Sequence, residues 1–79
     1  MLEAEKHYLE ALRILPNYIS ALNNLGMLYH SYIGKSDVAL PYLQKAVKLD
    51  TAYVEAHYNL ASCLSTLKRF EWLHYPLLS

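Results

Sequence analysis

The residues of this chain best suited to metal binding or nucleophilic catalysis are four histidines and one cysteine: His7, His30, His57, His74 and Cys63. Zinc sites usually take their ligands from closely spaced pairs. Here each histidine lies on a different segment, and no His-x3-His pair occurs. We expect His57, which falls in an apolar stripe, to be a partly buried packing residue, and Cys63 to be a small core residue. The sequence therefore predicts no metal site and no cofactor.

Other signatures of chemistry are also missing from the sequence. It has no Ser-His-Asp spacing, no Gly-rich phosphate loop and no paired carboxylates. Seven basic residues balance seven acidic ones, which disfavours nucleic acid and anionic membranes as partners. No apolar stretch approaches the ~18 residues of a membrane span, and the charged start does not resemble a signal peptide. We predict a non-enzymatic chain without nucleic-acid binding or direct membrane insertion, and a cytoplasmic location is favoured.

Apolar residues recur at helical spacing along the chain, as in the steps of three and four that separate Leu22, Leu25 and Tyr29. With only 2 glycines and 3 prolines in 79 residues, a sheet-and-turn architecture is improbable. The fold class is predicted to be all-α. Helices are expected at about 2–15, 18–32, 37–49 and 53–67.

The sequence also repeats itself at a spacing of 35 residues. Six positions are identical in this register, and conservative matches lie between them. The identical pairs are Ala4 and Ala39, Ala11 and Ala46, Tyr18 and Tyr53, Ala21 and Ala56, Asn24 and Asn59, and Leu25 and Leu60. One helix–turn–helix unit therefore recurs along the chain.

This unit resembles the tetratricopeptide repeat, a helix–turn–helix of ~34 residues with the pattern W-x2-L-G-x2-Y…A-x3-F…P. The matching motifs are Leu22-x2-Leu25-Gly26-x2-Tyr29, Ala39-x3-Leu43-x2-Ala46, Ala4-x3-Tyr8-x2-Ala11 and Pro16. Gly26 and Ala39 are expected to be small because two antiparallel helices approach closely there. Ala46 is expected to be small where the next repeat packs. The resemblance implies antiparallel hairpins stacked as a short right-handed α-solenoid.

The repeat register divides the chain into four parts. Residues 1–16 resemble the second helix of a partial unit, 17–51 a complete unit, 52–70 the first helix of a further unit, and 71–79 a divergent tail. Near Ile33-Gly34 the unit has one extra residue, which we expect to lengthen the turn. Lys68-Arg69-Phe70 resembles the entry to a second helix, but Leu73 is bulky and Pro76 follows, so that helix should be short or missing. We expect a fragment or truncated form of a longer array.

In tetratricopeptide arrays the first helix of each unit lines a concave groove, so the resemblance places Asn24 and Asn59 there. A row of such amides offers donors and acceptors to an extended peptide backbone. Alternatively, the asparagines satisfy local backbone groups. The candidate groove residues are Ser20, Asn23, Asn24, Met27, His30, Glu55, Tyr58, Asn59 and Ser62.

The resemblance implies a non-catalytic protein–protein interaction module, an adaptor or scaffold that binds a peptide segment in this groove. The alternative is the substrate-recruiting arm of a larger enzyme such as a protein O-glycosyltransferase, since such enzymes carry comparable arrays. A plain helical bundle without a ligand is a third possibility. Self-association through exposed end helices is a further expectation.

Overall fold

The chain forms four α-helices, as the helical periodicity of its apolar residues predicts. The computed structural model describes the backbone of residues 2–74 and the side chains of residues 3–69. The helices are α1 Leu2–Ile14, α2 Ile19–Met27, α3 Ser36–Leu49 and α4 Val54–His74, and a π-helical segment, Leu28–Ile33, continues α2. No strand occurs within these residues. The all-α, repeat-like fold predicted from the sequence is confirmed.

The helices pack as successive neighbours around α2 and α3. α2 packs against α1, α3 and α4, and α3 packs against α4. Only Gly34 and Lys35 separate the π-helical segment from α3, and a connection this short makes the two helices antiparallel neighbours. Gly34 takes the left-handed conformation, φ 81°, that ends the segment.

Gly26 is the point of closest approach between α2 and α3. A Cβ at this position would lie 2.5 Å from both Cγ and Cδ2 of Leu43, which is less than any van der Waals contact allows. Leu43 and Ala39 are both fully buried in the same core cluster. A residue without a side chain is therefore favoured at position 26, as the resemblance to the tetratricopeptide repeat implied.

A second cluster joins α3 to α4. Ala46 and Ala56 are fully buried, and both pack with Leu22. Ala46 is thus small where the first helix of the next unit approaches, which confirms the expectation for this position. The partly buried Leu12 and Tyr42 pack against both clusters and connect them.

The extra residue of the 35-residue unit lies in the helix and not in the turn. Across Leu28–Ile33 the helix widens to π geometry, whose hydrogen bonds span one more residue than those of an α-helix. The carbonyl of Tyr29 accepts from the backbone N–H of Gly34 and, at 2.7 Å, from that of Lys35. The expected longer turn at Ile33-Gly34 is therefore wrong.

The fourth helix is longer than predicted. It runs without interruption from Val54 to His74, through the point at Lys68–Phe70 where a second helix was expected to begin. No glycine, proline or asparagine occurs between Cys63 and His74 to end it. The division into 1–16, 17–51, 52–70 and 71–79 stays a prediction. The Leu73 side chain and Pro76, on which the divergent tail was argued, lie outside the described residues.

Candidate functional site

Two asparagines form a hydrogen-bonded pair between α2 and α4. Asn59 Nδ2 donates to Asn23 Oδ1 at 2.9 Å, and Asn23 Nδ2 donates to the hydroxyl of Tyr53 at 3.3 Å. Asn23 is 1% exposed and Asn59 9%. A buried amide is costly unless it is hydrogen-bonded, so this pair fixes how the two helices lie against each other.

The burial of Asn59 corrects one expectation. Asn24 and Asn59 occupy equivalent repeat positions, and a row of groove amides implies that neither belongs to the core. Asn24 is indeed half-buried, but Asn59 is buried and its amide is engaged by Asn23. By the repeat register Asn59 is equivalent to Asn24, but its hydrogen-bond partner is the neighbouring residue, Asn23. The partner differs because α2 and α4 contact each other through different faces.

His30 joins three elements through its two ring nitrogens. Nδ1 lies 2.8 Å from Ser36 Oγ at the start of α3, and Nε2 lies 3.1 Å from Ser62 Oγ on α4. A neutral imidazole has one donor and one acceptor nitrogen, and a hydroxyl can play either part, so both contacts form in either tautomer. Ser36 is buried and was not among the predicted site residues.

Tyr29 links the core to α1. Its hydroxyl donates to the carboxylate of Glu5, and its ring stacks on Tyr42 with centroids 5.9 Å apart. Burial, followed by the hydrogen bond to Glu5, raises the pKa of Tyr29 to about 12. The phenol is therefore held in its neutral, donating form.

Cys63 is fully buried and donates to the backbone carbonyl of Ser36 at 3.1 Å. Burial raises the pKa of the thiol, and the negative charge of Asp37 adds to the effect. A thiol held protonated and out of solvent is a poor nucleophile, which agrees with its predicted role as a small core residue.

His57 is not the packing residue that the apolar stripe predicted. Its side chain is exposed, and its Nε2 donates to the backbone carbonyl of Thr51 at 2.7 Å. It therefore closes the turn before α4. Among the described residues, no three His, Cys, Asp or Glu side chains lie close enough together to hold a metal ion.

Residues 19–53 match the family model described as "Tetratricopeptide repeat". The chain contains a tetratricopeptide repeat. Searches of curated proteins and of solved structures found no significant match. The repeat implies a protein–protein interaction module with protein partners, and such repeats are generally non-catalytic. No helix of the described residues is both long enough and apolar enough to traverse a membrane.

Within the repeat, the predicted groove residues fall into two groups. Asn23, Asn59, His30 and Ser62 are engaged in hydrogen bonds between helices. The others present accessible surface: Ser20, Glu55 and Tyr58 are exposed, and Asn24 and Met27 are half-buried. Their role in peptide binding stays a prediction.

Two residues that shape this region were missed as site residues, Tyr53 and Ser36. Tyr53 is the repeat equivalent of Tyr18, yet it is hydrogen-bonded to Asn23, whereas Tyr18 is 49% exposed. Because α1 and α2 provide no equivalent of Asn23 for Tyr18, the repeat register alone does not reveal the contact. For Ser36, the sequence indicated only a polar residue near the start of a helix, which does not predict a contact with His30.

Proposed function

We propose that the chain is a non-catalytic interaction module that binds a peptide segment along the surface formed by α2 and α4. The observation that carries the proposal is the Asn23–Asn59 hydrogen bond, which joins the first helices of two successive units. The outward residues of the two helices then form one surface. Peptide recognition by helical arrays relies on such a surface because it presents side chains at regular spacing.

The chemistry of this surface indicates the kind of ligand. α2 contributes Ser20, Asn24 and Met27, and α4 contributes Glu55 and Tyr58. A thioether adapts to varied apolar side chains, and the amide and hydroxyls pair with a peptide backbone. Glu55 is the one charged member of this set. The proposed ligand is therefore an extended, neutral to weakly basic segment with an apolar side chain that packs on Met27.

Peptide selection tests the proposal. Peptides are selected from a random display library on immobilised chain 1–79, and the selected peptides are then titrated in solution by fluorescence anisotropy. Met27→Lys should weaken their binding by about tenfold or more, which corresponds to ~1.4 kcal/mol. The control is Gln44→Lys, the same change at an exposed position of α3, which should leave the Kd unchanged.

Equal binding to both variants would refute the assignment of the surface, and failure to select any peptide would refute the peptide ligand. Circular dichroism of each variant shows whether the fold is intact. The alternative, a substrate-recruiting arm of a larger enzyme, stays a prediction.

A further inference from the structure

The outer face of α4 carries an apolar recess. Leu40, Leu64, Leu67 and the stem of Lys68 line a space of about 580 Å³ beside α3, and Leu64 is 44% exposed. In the complete repeat, the residue equivalent to Leu64 is Tyr29, which is buried in the core cluster that includes Ala39 and Leu43 of α3. The recess therefore lies where a second helix would pack on α4.

A second recess lies at the other end of the helix array, between α1 and α2. It has a volume of about 240 Å³ and is lined by His7, Tyr8, Ala11, Tyr18, Ser20, Ala21 and Asn24. By the repeat register α1 corresponds to α3, a second helix. The recess lies where the first helix of that unit would pack.

We propose that a second copy of this chain fills both recesses, so that α1 of one copy packs on α4 of the next and completes a tetratricopeptide unit across two molecules. The proposal does not depend on peptide binding.

The complete repeat supplies the template for this interface. Within it, Leu43 packs on Gly26, and Tyr42 stacks on Tyr29. At the spacing of 35 residues, Tyr8 is equivalent to Leu43 and Ala61 to Gly26. In the proposed interface Tyr8 of one copy therefore packs on Ala61 of the other. The same register brings His7 onto Leu64, the exposed leucine of the α4 recess.

The buried amide pair has its own counterpart in this register. Asn59 donates to Asn23 within the chain. In the repeat register Asn59 is equivalent to Asn24, and Asn23 is equivalent to Tyr58. The corresponding contact between two molecules therefore joins Asn24 of one copy to Tyr58 of the other. Tyr58 is 72% exposed and Asn24 is half-buried in the α1 recess, so both are accessible for this contact.

The charges at the two ends are complementary. The exposed Glu3 lies in the first turn of α1, and the exposed Lys68 and Arg69 lie on α4 at the positions equivalent to Ile33 and Gly34, where the first helix of the complete repeat ends. In an antiparallel hairpin the end of the first helix lies next to the start of the second. The packing therefore brings Glu3 of one copy near the two basic residues of the other, which favours encounter in this orientation.

Because the two surfaces differ, the contact is heterologous and extends to further copies unless the rotation closes a ring. Sedimentation velocity of chain 1–79 should show a mass that rises with concentration and does not stop at a dimer. Leu64→Glu blocks the α4 recess and His7→Glu the α1 recess, so each variant alone should remain monomeric. Their equimolar mixture retains one unaltered pair of surfaces and should form a 1:1 dimer that grows no further.

Three results would overturn the proposal. They are a wild-type monomer at every concentration, association of either variant as strong as wild type, and a mixture that stays monomeric. Gln44→Glu on α3 is the matched control and should associate as wild type does, with circular dichroism confirming that all variants are folded. Lys68→Glu should weaken association, and the added change Glu3→Lys should restore it.

The groove and the stacking interface share Ser20, Asn24 and Tyr58, but each is tested at a residue that belongs to it alone, Met27 for the groove and Leu64 for the interface. Met27→Lys should leave association unchanged, and Leu64→Glu should leave peptide affinity unchanged. Loss of one property without the other identifies which of the two proposals fails.

Discussion

The side-chain amide of Asn59 donates to the side-chain oxygen of Asn23 across the contact between α2 and α4, at 2.9 Å. In the predicted division of the chain, each of these asparagines belongs to the first helix of a different unit, so the bond would connect two units and not the helices of one hairpin. Both side chains are buried. The pair is therefore a polar contact on which the packing of one unit on the next depends.

Asn59→Ala should lower the free energy of unfolding by about 1–3 kcal/mol, because it leaves the buried oxygen of Asn23 without its donor. Urea unfolding monitored by circular dichroism measures the change. The matched control is Asn24→Ala, the equivalent position in the preceding unit, where a half-buried side chain should cost about 0.5 kcal/mol or less. Equal losses in the two variants would contradict a special role for the buried pair.

Gly26→Ala should also destabilise the fold, although alanine is the better helix former by ~1 kcal/mol. The new Cβ would lie 2.5 Å from Leu43 Cγ, and Leu43 is fully buried, so its side chain or the helix must shift to accommodate the methyl group. Overpacking of this kind costs about 1–3 kcal/mol, which exceeds the gain in propensity. A double variant with Leu43→Ala should recover the gain relative to Leu43→Ala alone. A stabilised single variant would show that the helices can separate at this contact.

Stability should fall as the pH rises from 10 toward 12, because the pKa of Tyr29 is about 12 in the folded chain and 10.0 in its ordinary state. Above pH 10 the unfolded chain releases the phenolic proton that the folded chain keeps, so the free energy of the unfolded state falls relative to that of the folded state. The contribution is complete below pH 10 and is lost by about pH 12, at a rate of up to ~1.4 kcal/mol per pH unit.

Unfolding free energies measured across this range test the prediction, with Tyr29→Phe as the control. The variant lacks the phenol and should lose stability less steeply with pH. Equal slopes in wild type and variant would show that Tyr29 is not the group responsible.

Most of the fold could be predicted from the sequence, and the reasons can be traced to particular residues. The pattern of Leu22, Leu25, Gly26 and Tyr29 places a glycine and three large apolar residues on one helix face, and this is the face that meets α3. The repeat spacing then positions α4. These are properties of single helices and their nearest neighbours, and local patterns encode them directly.

The contacts between units were harder to predict. The repeat register aligns Asn59 with Asn24, but the hydrogen bond joins Asn59 to Asn23, since two stacked helices present different faces to each other. His57 lies in an apolar stripe and yet bonds the carbonyl of Thr51 outside the core. A one-dimensional pattern records which residues are equivalent, but a contact depends on the angle at which two helices meet.

The π-helical segment Leu28–Ile33 has a consequence for how this repeat can change length during evolution. One residue inserted into a regular helix rotates every later side chain by about 100°, which would turn the core-facing residues of the following helix toward solvent. Here the wider turn takes up the added residue, and Ala39 and Leu43 are still fully buried. The π-helical turn thus lets a unit of 35 residues bury the same positions, Ala39 and Leu43, that the shorter repeat pattern assigns to its core.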